Sequence, residues 1–463
     1  MSQTPFSNLK LQAGILQNLA SLNYTMMTPI QAESLPHILT GKDVIAQSKT
    51  GSGKTAAFGL GLLENLDITT LHTQALVLCP TRELADQVAR ELRKLARNIA
   101  NVKIITLCGG MPMYSQQASL RYGAHIIVGT PGRIEDHLKR GTLKLNQLQI
   151  LVLDEADRML EMGFQLALDS IVKKLPEQRQ TLLFSATFQK KTQAIAKRMM
   201  RQPITVKVAV SHDNKNIAQC FYQVEHKNRL EALRLLLLQQ QPESSIVFCN
   251  TKRETEEVTN ALIYAGFSAL ALNGDLEQRE RDQAIIRFAN RSISILVATD
   301  VAARGLDIDA LDLVINYELA HEPETHTHRI GRTGRAGKQG LAYSLFGTTD
   351  NYKMTVLSDY LQQNIQASPL PSSKFLKETA KKAAMTTLQI SGGKKHKLRP
   401  GDILGALTAD NDIAGAQVGR INIMDQWAYV AVNRTIVSLA VNKLGSGKLK
   451  GRSFRISVIG AAS

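Results

Sequence analysis

From about residue 40 to residue 360 the chain alternates short β-branched runs with longer amphipathic stretches, the pattern of a parallel α/β sheet. The runs include ALVLCP (75–80), HIIVGT (125–130), QILVLDEAD (149–157), SIVFCN (245–250), SILVATD (294–300) and DLVINY (312–317). Each ends in polar or turn residues. In parallel sheets ligands collect beyond the carboxyl ends of the strands, so the chemistry is expected at those endings.

A chain of 463 residues exceeds one hydrophobic core, and the alternation breaks once. The first series stops near Arg201-Gln202-Pro203 and a second begins after SHDNKN (211–216), which predicts two similar lobes, 1–208 and 209–365. Residues 366–384 lie within a stretch of prolines, serines and lysines and read as a mostly exposed basic linker or a short basic helix. From 385 to 463 the order is strand (386–391), helix (400–409), strand (416–424), strand (427–433), helix (435–444), strand (452–459). This βαββαβ arrangement is that of small RNA-binding sheets.

The formal charge is +16, and residues 385–463 contribute +7 of it, with 11 Lys/Arg against 4 Asp/Glu. That balance favours a polyanionic partner. An apolar fraction of 44% and a charged fraction of 21% are those of a folded globular chain and argue against wholesale disorder. The four cysteines are widely spaced and form no Cys-x-x-Cys pair, so they read as reduced core thiols, not as a zinc site or a disulfide framework. No apolar run reaches membrane-spanning length and the amino terminus lacks a secretion pattern, so a cytoplasmic location is expected.

Two segments carry the chemistry. In DVIAQSKTGSGKT (43–55) a strand runs into a glycine loop and a helix start. Ser48, Lys49, Thr50, Gly51, Ser52, Gly53, Lys54 and Thr55 occupy phosphate-loop positions. Gly51 and Gly53 let backbone N–H groups turn toward phosphate oxygens, Lys54 would pair with the β/γ-phosphates, and the Thr55 hydroxyl would bind magnesium. One hundred residues after Lys54, an apolar strand ends in Asp154 and Glu155. Asp154 is placed to hold magnesium through water, and Glu155 to orient and deprotonate an attacking water. Either acid alone could simply cap the following helix; a phosphate loop upstream makes that reading weak.

The tetrapeptide Asp154-Glu155-Ala156-Asp157 is the signature of the DEAD-box RNA helicases, and residues 6–337 resemble that family's motif set in order. The resemblance implies two tandem RecA-like lobes, ATP and Mg2+ as cofactors, and RNA-stimulated ATP hydrolysis coupled to local duplex unwinding. Phe6, Tyr24 and TPIQ (28–31) are similar to the family's adenine-reading segment, with Gln31 on the adenine edge. Asn23 stands where the family has glycine, a left-handed position that asparagine tolerates. Pro80, Thr81 and Arg82, the Gly109-Gly110 pair, and Thr130, Pro131, Gly132 and Arg133 resemble the RNA-contact loops of the first lobe. Such groups suit phosphate and 2′-hydroxyl contacts over base reading. Ser185 and Thr187 resemble the element coupling hydrolysis to lobe closure through hydroxyls bridging to the acidic tetrapeptide. In the second lobe Thr251, Arg279 and Thr299 match positions near RNA, and Asp307 matches the ribose contact. Arg332 and Arg335 would act as arginine fingers, His328 would couple the lobes, and Arg329 is a candidate for a structural role.

The tail resembles the RNA-binding domain of a bacterial branch of the same family. That implies 23S ribosomal RNA as partner, at the A-loop hairpin in pre-50S particles, and a role in large-subunit assembly. The tail lacks the aromatic pair on which typical βαββαβ readers stack bases, carrying Trp427 and Tyr429 and little else on its central strands. A loop-and-edge mode using Lys394, Lys395, Lys397 and Arg420 is therefore expected. The chain is expected to be monomeric, with no obligate protein partner. Two other readings stay open from sequence: an ATP-gated RNA clamp, and a general RNA chaperone or mRNA-decay helicase with an unspecific basic tail.

Overall fold

The computed structural model describes residues 4–48, 51–188, 190–208, 216–303, 311–334 and 339–460. The chain divides into two units, one comprising the described residues up to 208 and the other those from 216 onward.

The first unit is a seven-stranded parallel sheet ordered β3-β4-β2-β5-β6-β1-β7. Its strands are β1 (Val44–Gln47), β2 (Ala75–Leu78), β3 (Ile104–Leu107), β4 (Ile126–Gly129), β5 (Ile150–Asp154), β6 (Gln180–Ser185) and β7 (Ile204–Lys207). The central strands are apolar throughout because helices cover both faces. Successive side chains enter opposite cores: Ala75 and Val77 pack in one layer with Phe58, Val152 and Phe184, while Leu76 and Leu78 pack in the other with Leu151, Leu153 and Met159. Parallel strands place their carboxyl ends along one edge, which brings the ends of β1, β5 and β6 side by side.

The second unit repeats the plan with six strands ordered β10-β11-β9-β12-β13-β8. These are β8 (Ile217–Gln223), β9 (Ser245–Cys249), β10 (Ala269–Leu272), β11 (Ile295–Thr299), β12 (Leu313–Asn316) and β13 (Gly340–Phe346). The strand expectations hold in both lobes. Cys79, Cys108 and Cys249 are buried, Cys220 is half-buried, and all four are unpaired, as the spacing led us to expect.

The tail is a four-stranded antiparallel sheet ordered β15-β16-β14-β17, built from β14 (Met385–Ile390), β15 (Val418–Ile423), β16 (Ala428–Asn433) and β17 (Ile456–Val458). Helices Pro400–Thr408 and Val437–Ser446 cover one face, where Leu388, Ile390, Val430 and Val432 meet Ile403, Leu407, Ala440 and Leu444. The other face is not open. Thr387 pairs with Ser292 at 2.7 Å and takes Asn290 Nδ2 at 3.3 Å, and Gln283 donates to Gln389 at 3.1 Å. The second lobe, through helix Gln278–Ala289 and the turn after it, thus lies against the broad face of the tail sheet.

The stretch before the tail is mostly exposed, yet it is tied to the second lobe. It forms a 3-10 turn at Ser373–Lys377 whose Phe375 and Leu376 pack, with Ala380, against the core of the second lobe. Ser368 N donates to Phe221 O at 2.7 Å, and Lys381 pairs with Glu243 at 3.2 Å. A polar composition hid two apolar anchors, so the segment, though mostly exposed, is fastened to the second lobe.

Candidate nucleotide site and RNA-contact surfaces

β1 delivers the phosphate loop to the start of helix Lys54–Glu64. Gly51 and Gly53 both have left-handed backbone, φ 79° and 93°, and a Cβ on Gly53 would sit 2.5 Å from Gln31 Nε2. Only glycine meets both demands at that position. Lys54 is buried and its Nζ donates to Ser48 O at 3.1 Å; Ser48 and Ser52 pair through their hydroxyls at 2.8 Å. Ser48 N donates to Ser185 O, tying the loop to the end of β6. Thr55 is half-buried in the first helical turn, and Lys49 and Thr50 lie outside the described residues.

Asp154 closes β5 and Glu155 follows with φ 54° and ψ 50°, a left-handed conformation unusual for a non-glycine residue. Such strain persists where surrounding structure enforces it, and here it sets the direction of the Glu155 side chain. Asp154 Oδ1 is buried and has no hydrogen-bond partner among the described residues. Burial raises the Asp154 pKa to about 7, against the opposing pull of the Lys54 charge. Glu155 Oε2 lies 3.2 Å from Arg158 Nη1 as an ion pair, though neither atom makes a hydrogen bond among the described residues. Asp157 is in the opposite condition. Burial pushes its pKa up, but Thr187 N and Oγ1, at 2.9 and 2.8 Å, and the charge of Lys54 hold it below the usual range. Ser185 Oγ donates to Thr187 O at 2.5 Å, so the Ser185–Thr187 turn is locked onto the tetrapeptide.

Of the upstream segment, Gln31 reaches the phosphate loop. Its Oε1 accepts from Thr28 N at 2.8 Å and its Nε2 donates to Gly53 O at 3.1 Å. Each end of the amide keeps one further hydrogen-bonding position. Tyr24 turns instead to helix Arg82–Leu95, where its hydroxyl donates to Glu91 at 2.9 Å under Lys94. Phe6 is buried in the lobe core, and Asn23 takes the left-handed backbone expected of it, φ 59°.

The first-lobe loops converge on Gly109-Gly110. Thr81 caps helix Arg82–Leu95, accepting from Leu84 N at 3.3 Å beside the buried Pro80. The Arg82 guanidinium lies where a Gly110 Cβ would be, and its Nη1 is buried with no hydrogen-bond partner among the described residues. Thr130 and Pro131 start helix Pro131–Lys139, and Arg133 Nη1 donates to Met111 O at 2.9 Å. A Cβ on Gly132 would meet nothing within 4 Å. Internal packing therefore gives no reason for a glycine that weakens a helix by roughly 1 kcal/mol relative to alanine.

In the second lobe Thr251 caps helix Lys252–Tyr264 through Glu254 N at 3.2 Å, and Thr299 accepts from Ala302 N at 3.4 Å. Arg279 lies 4.7 Å over the Trp427 ring, and Arg281 donates to Ala302 O at 2.7 Å. Arg329 is almost fully buried. It binds both oxygens of Asp300 at 2.7 Å and also Asn250 Oδ1 and Glu318 O, the structural role foreseen for it. Arg332 is buried, with its carbonyl on Leu311 N, and His328 is half-buried in helix Pro323–Ile330. Asp307 and Arg335 lie outside the described residues.

In the tail, Trp427 precedes β16 and Tyr429 lies on it; Trp427 is stacked under Arg279 and Tyr429 is buried. Lys394, Lys395 and Lys397 are exposed on a turn held by Lys394 N on Met424 O and Lys395 N on Asp425 O. Lys397 has φ 58°, and its carbonyl accepts from Lys450 Nζ at 2.7 Å. Arg420 is exposed on the edge strand β15.

Comparison with known families places these features. The DEAD/DEAH box helicase family matches residues 28–195, the helicase conserved C-terminal domain 227–337, and the DbpA RNA binding domain 387–458. The chain is 52% identical over 459 residues to the ATP-dependent RNA helicase DbpA of Escherichia coli K12, covering 98% of this chain and all of that one. It is a DEAD-box ATP-dependent RNA helicase of the DbpA type. The helicase is also 35% identical to DbpA of Bacillus subtilis, with 98% of each chain covered. To the DEAD-box helicase CshA of Bacillus cereus it is 46% identical, over 73% of its own length and 65% of the relative. Saccharomyces cerevisiae Dbp5 bound to RNA and ADP BeF3 is similar in structure at a TM-score of 0.72 and 29% identity, covering 82% of the helicase and all of Dbp5. Among the described residues no helix is long and apolar enough to cross a membrane.

Sequence reasoning gave no role to Arg158, Arg281, Asp300 or Gln116, all of which act through partners distant in sequence or turned inward. Two of them carried a signal: Arg281 lies in the stretch GDLEQRER (274–281) beside Arg279, which the structure turns toward the tail, and Asp300 ends the run SILVATD.

Proposed function

We propose that this RNA-dependent ATPase is directed to 23S ribosomal RNA at the A-loop hairpin and acts in assembly of the large ribosomal subunit in the cytoplasm. The observation that carries the targeting is the closed face of the tail sheet. With Thr387, Gln389 and Tyr429 turned to the second lobe, RNA is left the basic turn at 394–397 and the edge strand with Arg420. The tail also separates the relatives: similarity to the proteins named DbpA runs through it, whereas similarity to CshA spans 73% of the chain.

For the chemistry, the donor set at the nucleotide site fits a hard divalent cation. Asp154 offers a buried oxygen with no hydrogen-bond partner among the described residues, and Thr55 offers a hydroxyl in the first turn after the phosphate loop. Thr55 and Asp154 would hold Mg2+, the latter partly through water, which would neutralise charge on the phosphates of ATP. Lys54 neutralises the β/γ-phosphates, the 51–53 backbone cradles them, and Gln31 reads the adenine edge with the donor and acceptor positions left on its amide. Glu155 takes a proton from the attacking water, and Arg332 and Arg335 stabilise the transferring phosphoryl group. Thr187 on Asp157 links the state of this site to the Ser185–Thr187 turn, with His328 answering in the second lobe. Arg82, Gly110, Gly132 and Arg133, with Thr251 and Thr299, hold one RNA strand by its backbone, so those contacts carry no sequence preference.

The test is hairpin binding by the full chain and by a chain lacking 385–463. Loss of preference for the 23S hairpin over a shuffled RNA is expected. Uniformly weaker binding to both RNAs would instead favour an unspecific basic tail.

A further inference from the structure

The first lobe contains a buried polar chain that none of the roles above uses. His137, on helix Pro131–Lys139, has no exposed surface, and Gln116, on helix Met113–Leu120, is also buried. Gln116 Nε2 donates to Cys108 O at 2.9 Å. Gln116 Oε1 lies 3.2 Å from His137 Nε2, and His137 Nδ1 lies 2.8 Å from Thr142 Oγ1. An amide oxygen only accepts, so Nε2 carries the imidazole proton and Nδ1 accepts from Thr142. Burial keeps the His137 pKa below its ordinary value; Arg133 and Arg140 add to this and Asp136 opposes it. The neutral tautomer is thus the one present at neutral pH.

The chain ends on the residue preceding Gly109-Gly110. Gly110 has φ 72° and packs directly under Arg82, while Arg133 holds Met111 O from the side. Residues 108–111 are therefore fastened at three points. Two fasteners are arginines assigned to RNA; the third is the Gln116–His137 pair, shielded from water. Two apolar side chains would fill the space between these helices without any need for matched partners, but they would not fix a carbonyl. A buried hydrogen-bonded pair specifies one loop geometry.

We propose that His137 is a positioning residue for RNA binding: through Gln116 it fixes the Cys108 carbonyl, and with it the Gly109-Gly110 backbone that meets the RNA strand. The inference rests on the assignment of the Gly109-Gly110 and 130–133 loops to RNA.

The test uses the full chain and RNA-stimulated ATP hydrolysis. His137→Leu removes the Nε2 donor, and KM for RNA is expected to rise about five- to twentyfold, the effect of one buried hydrogen bond. KM for ATP and kcat at saturating RNA should stay within about twofold, since the nucleotide residues are untouched. His137→Gln, which restores an N–H donor, should recover most of the affinity, and Gln116→Met should match His137→Leu. Arg133→Ala serves as reference. If it leaves KM for RNA unchanged, the loop assignment fails and the inference with it. If Arg133→Ala raises KM for RNA but His137→Leu does not, the positioning role alone is overturned. A fall in melting temperature with kcat and both KM values disturbed together, and no recovery in His137→Gln, would likewise overturn it in favour of a purely structural histidine.

Discussion

Each lobe ends a central parallel strand on an aspartate, and the two aspartates are used in opposite ways. Asp154, at the end of β5, keeps a buried oxygen with no hydrogen-bond partner among the described residues. Asp300, just after β11, has both oxygens on Arg329 at 2.7 Å, inside a cage that also includes Asn250 and the Glu318 carbonyl. The same architecture thus yields an open carboxylate in one lobe and a saturated one in the other. An open carboxylate can receive a cation or a polarised water. A saturated one can only hold its own lobe in shape, and here it anchors the helix that carries His328 and leads to Arg332.

Four experiments would break or sharpen that contrast. Glu155→Gln should reduce ATP turnover about 10²- to 10⁴-fold, the range of a lost general base, while ATP binding measured by nucleotide titration persists. Arg329→Ala should destabilise the second lobe by about 3–5 kcal/mol in urea denaturation, because it leaves Asp300 without its cation. If it is nearly silent, the saturated-cage reading is wrong.

The third experiment follows from the raised pKa of Asp154, about 7 when folded and in the ordinary carboxylate range when unfolded. A carboxyl group raised on folding contributes stability at low pH that is lost as pH climbs through the folded value. Without magnesium, the first lobe should therefore lose stability between about pH 4 and pH 7, and Asp154→Asn should flatten that slope. A wild-type lobe with no such slope would mean that Asp154 is already satisfied. Smallest is Thr187→Val, which removes one hydrogen bond to Asp157, worth about 1–3 kcal/mol for a charged acceptor. Strand displacement per ATP hydrolysed should fall several-fold while ATP turnover continues; a parallel fall in both would deny Thr187 a coupling role.

Much of the architecture was legible because its signals are local. Runs such as LVLD and IVFC announce buried parallel strands, and the order of strands and helices after residue 385 is that of the folded tail. The phosphate loop and the tetrapeptide were equally plain, since glycine at a left-handed turn and acids at a strand end are properties of adjacent residues. What stayed hidden depends on tertiary packing. HRIGRTGR offers three arginines, and nothing in the string shows that Arg329 closes on Asp300, Asn250 and the Glu318 carbonyl. Arg279 sits at a position that matches an RNA contact, but its stacking on Trp427 depends on how the tail docks. Phe375 and Leu376 fasten a segment whose prolines and lysines read as linker. The left-handed backbone of Glu155 likewise has no sequence signature.

The most direct measurement is RNA-stimulated ATP hydrolysis with the 23S hairpin and with a shuffled RNA of equal length, comparing the wild type with the combined Lys394→Glu, Lys395→Glu and Lys397→Glu variant. The wild type should respond to far lower concentrations of the hairpin than of the shuffled RNA. The variant should lose that preference yet reach a similar maximal rate at saturating RNA, because Asp154, Glu155 and the first-lobe loops are unchanged. A variant that keeps the full hairpin preference, or a wild type that turns over ATP equally well with either RNA, would contradict the assignment of targeting to the exposed basic turn of the tail.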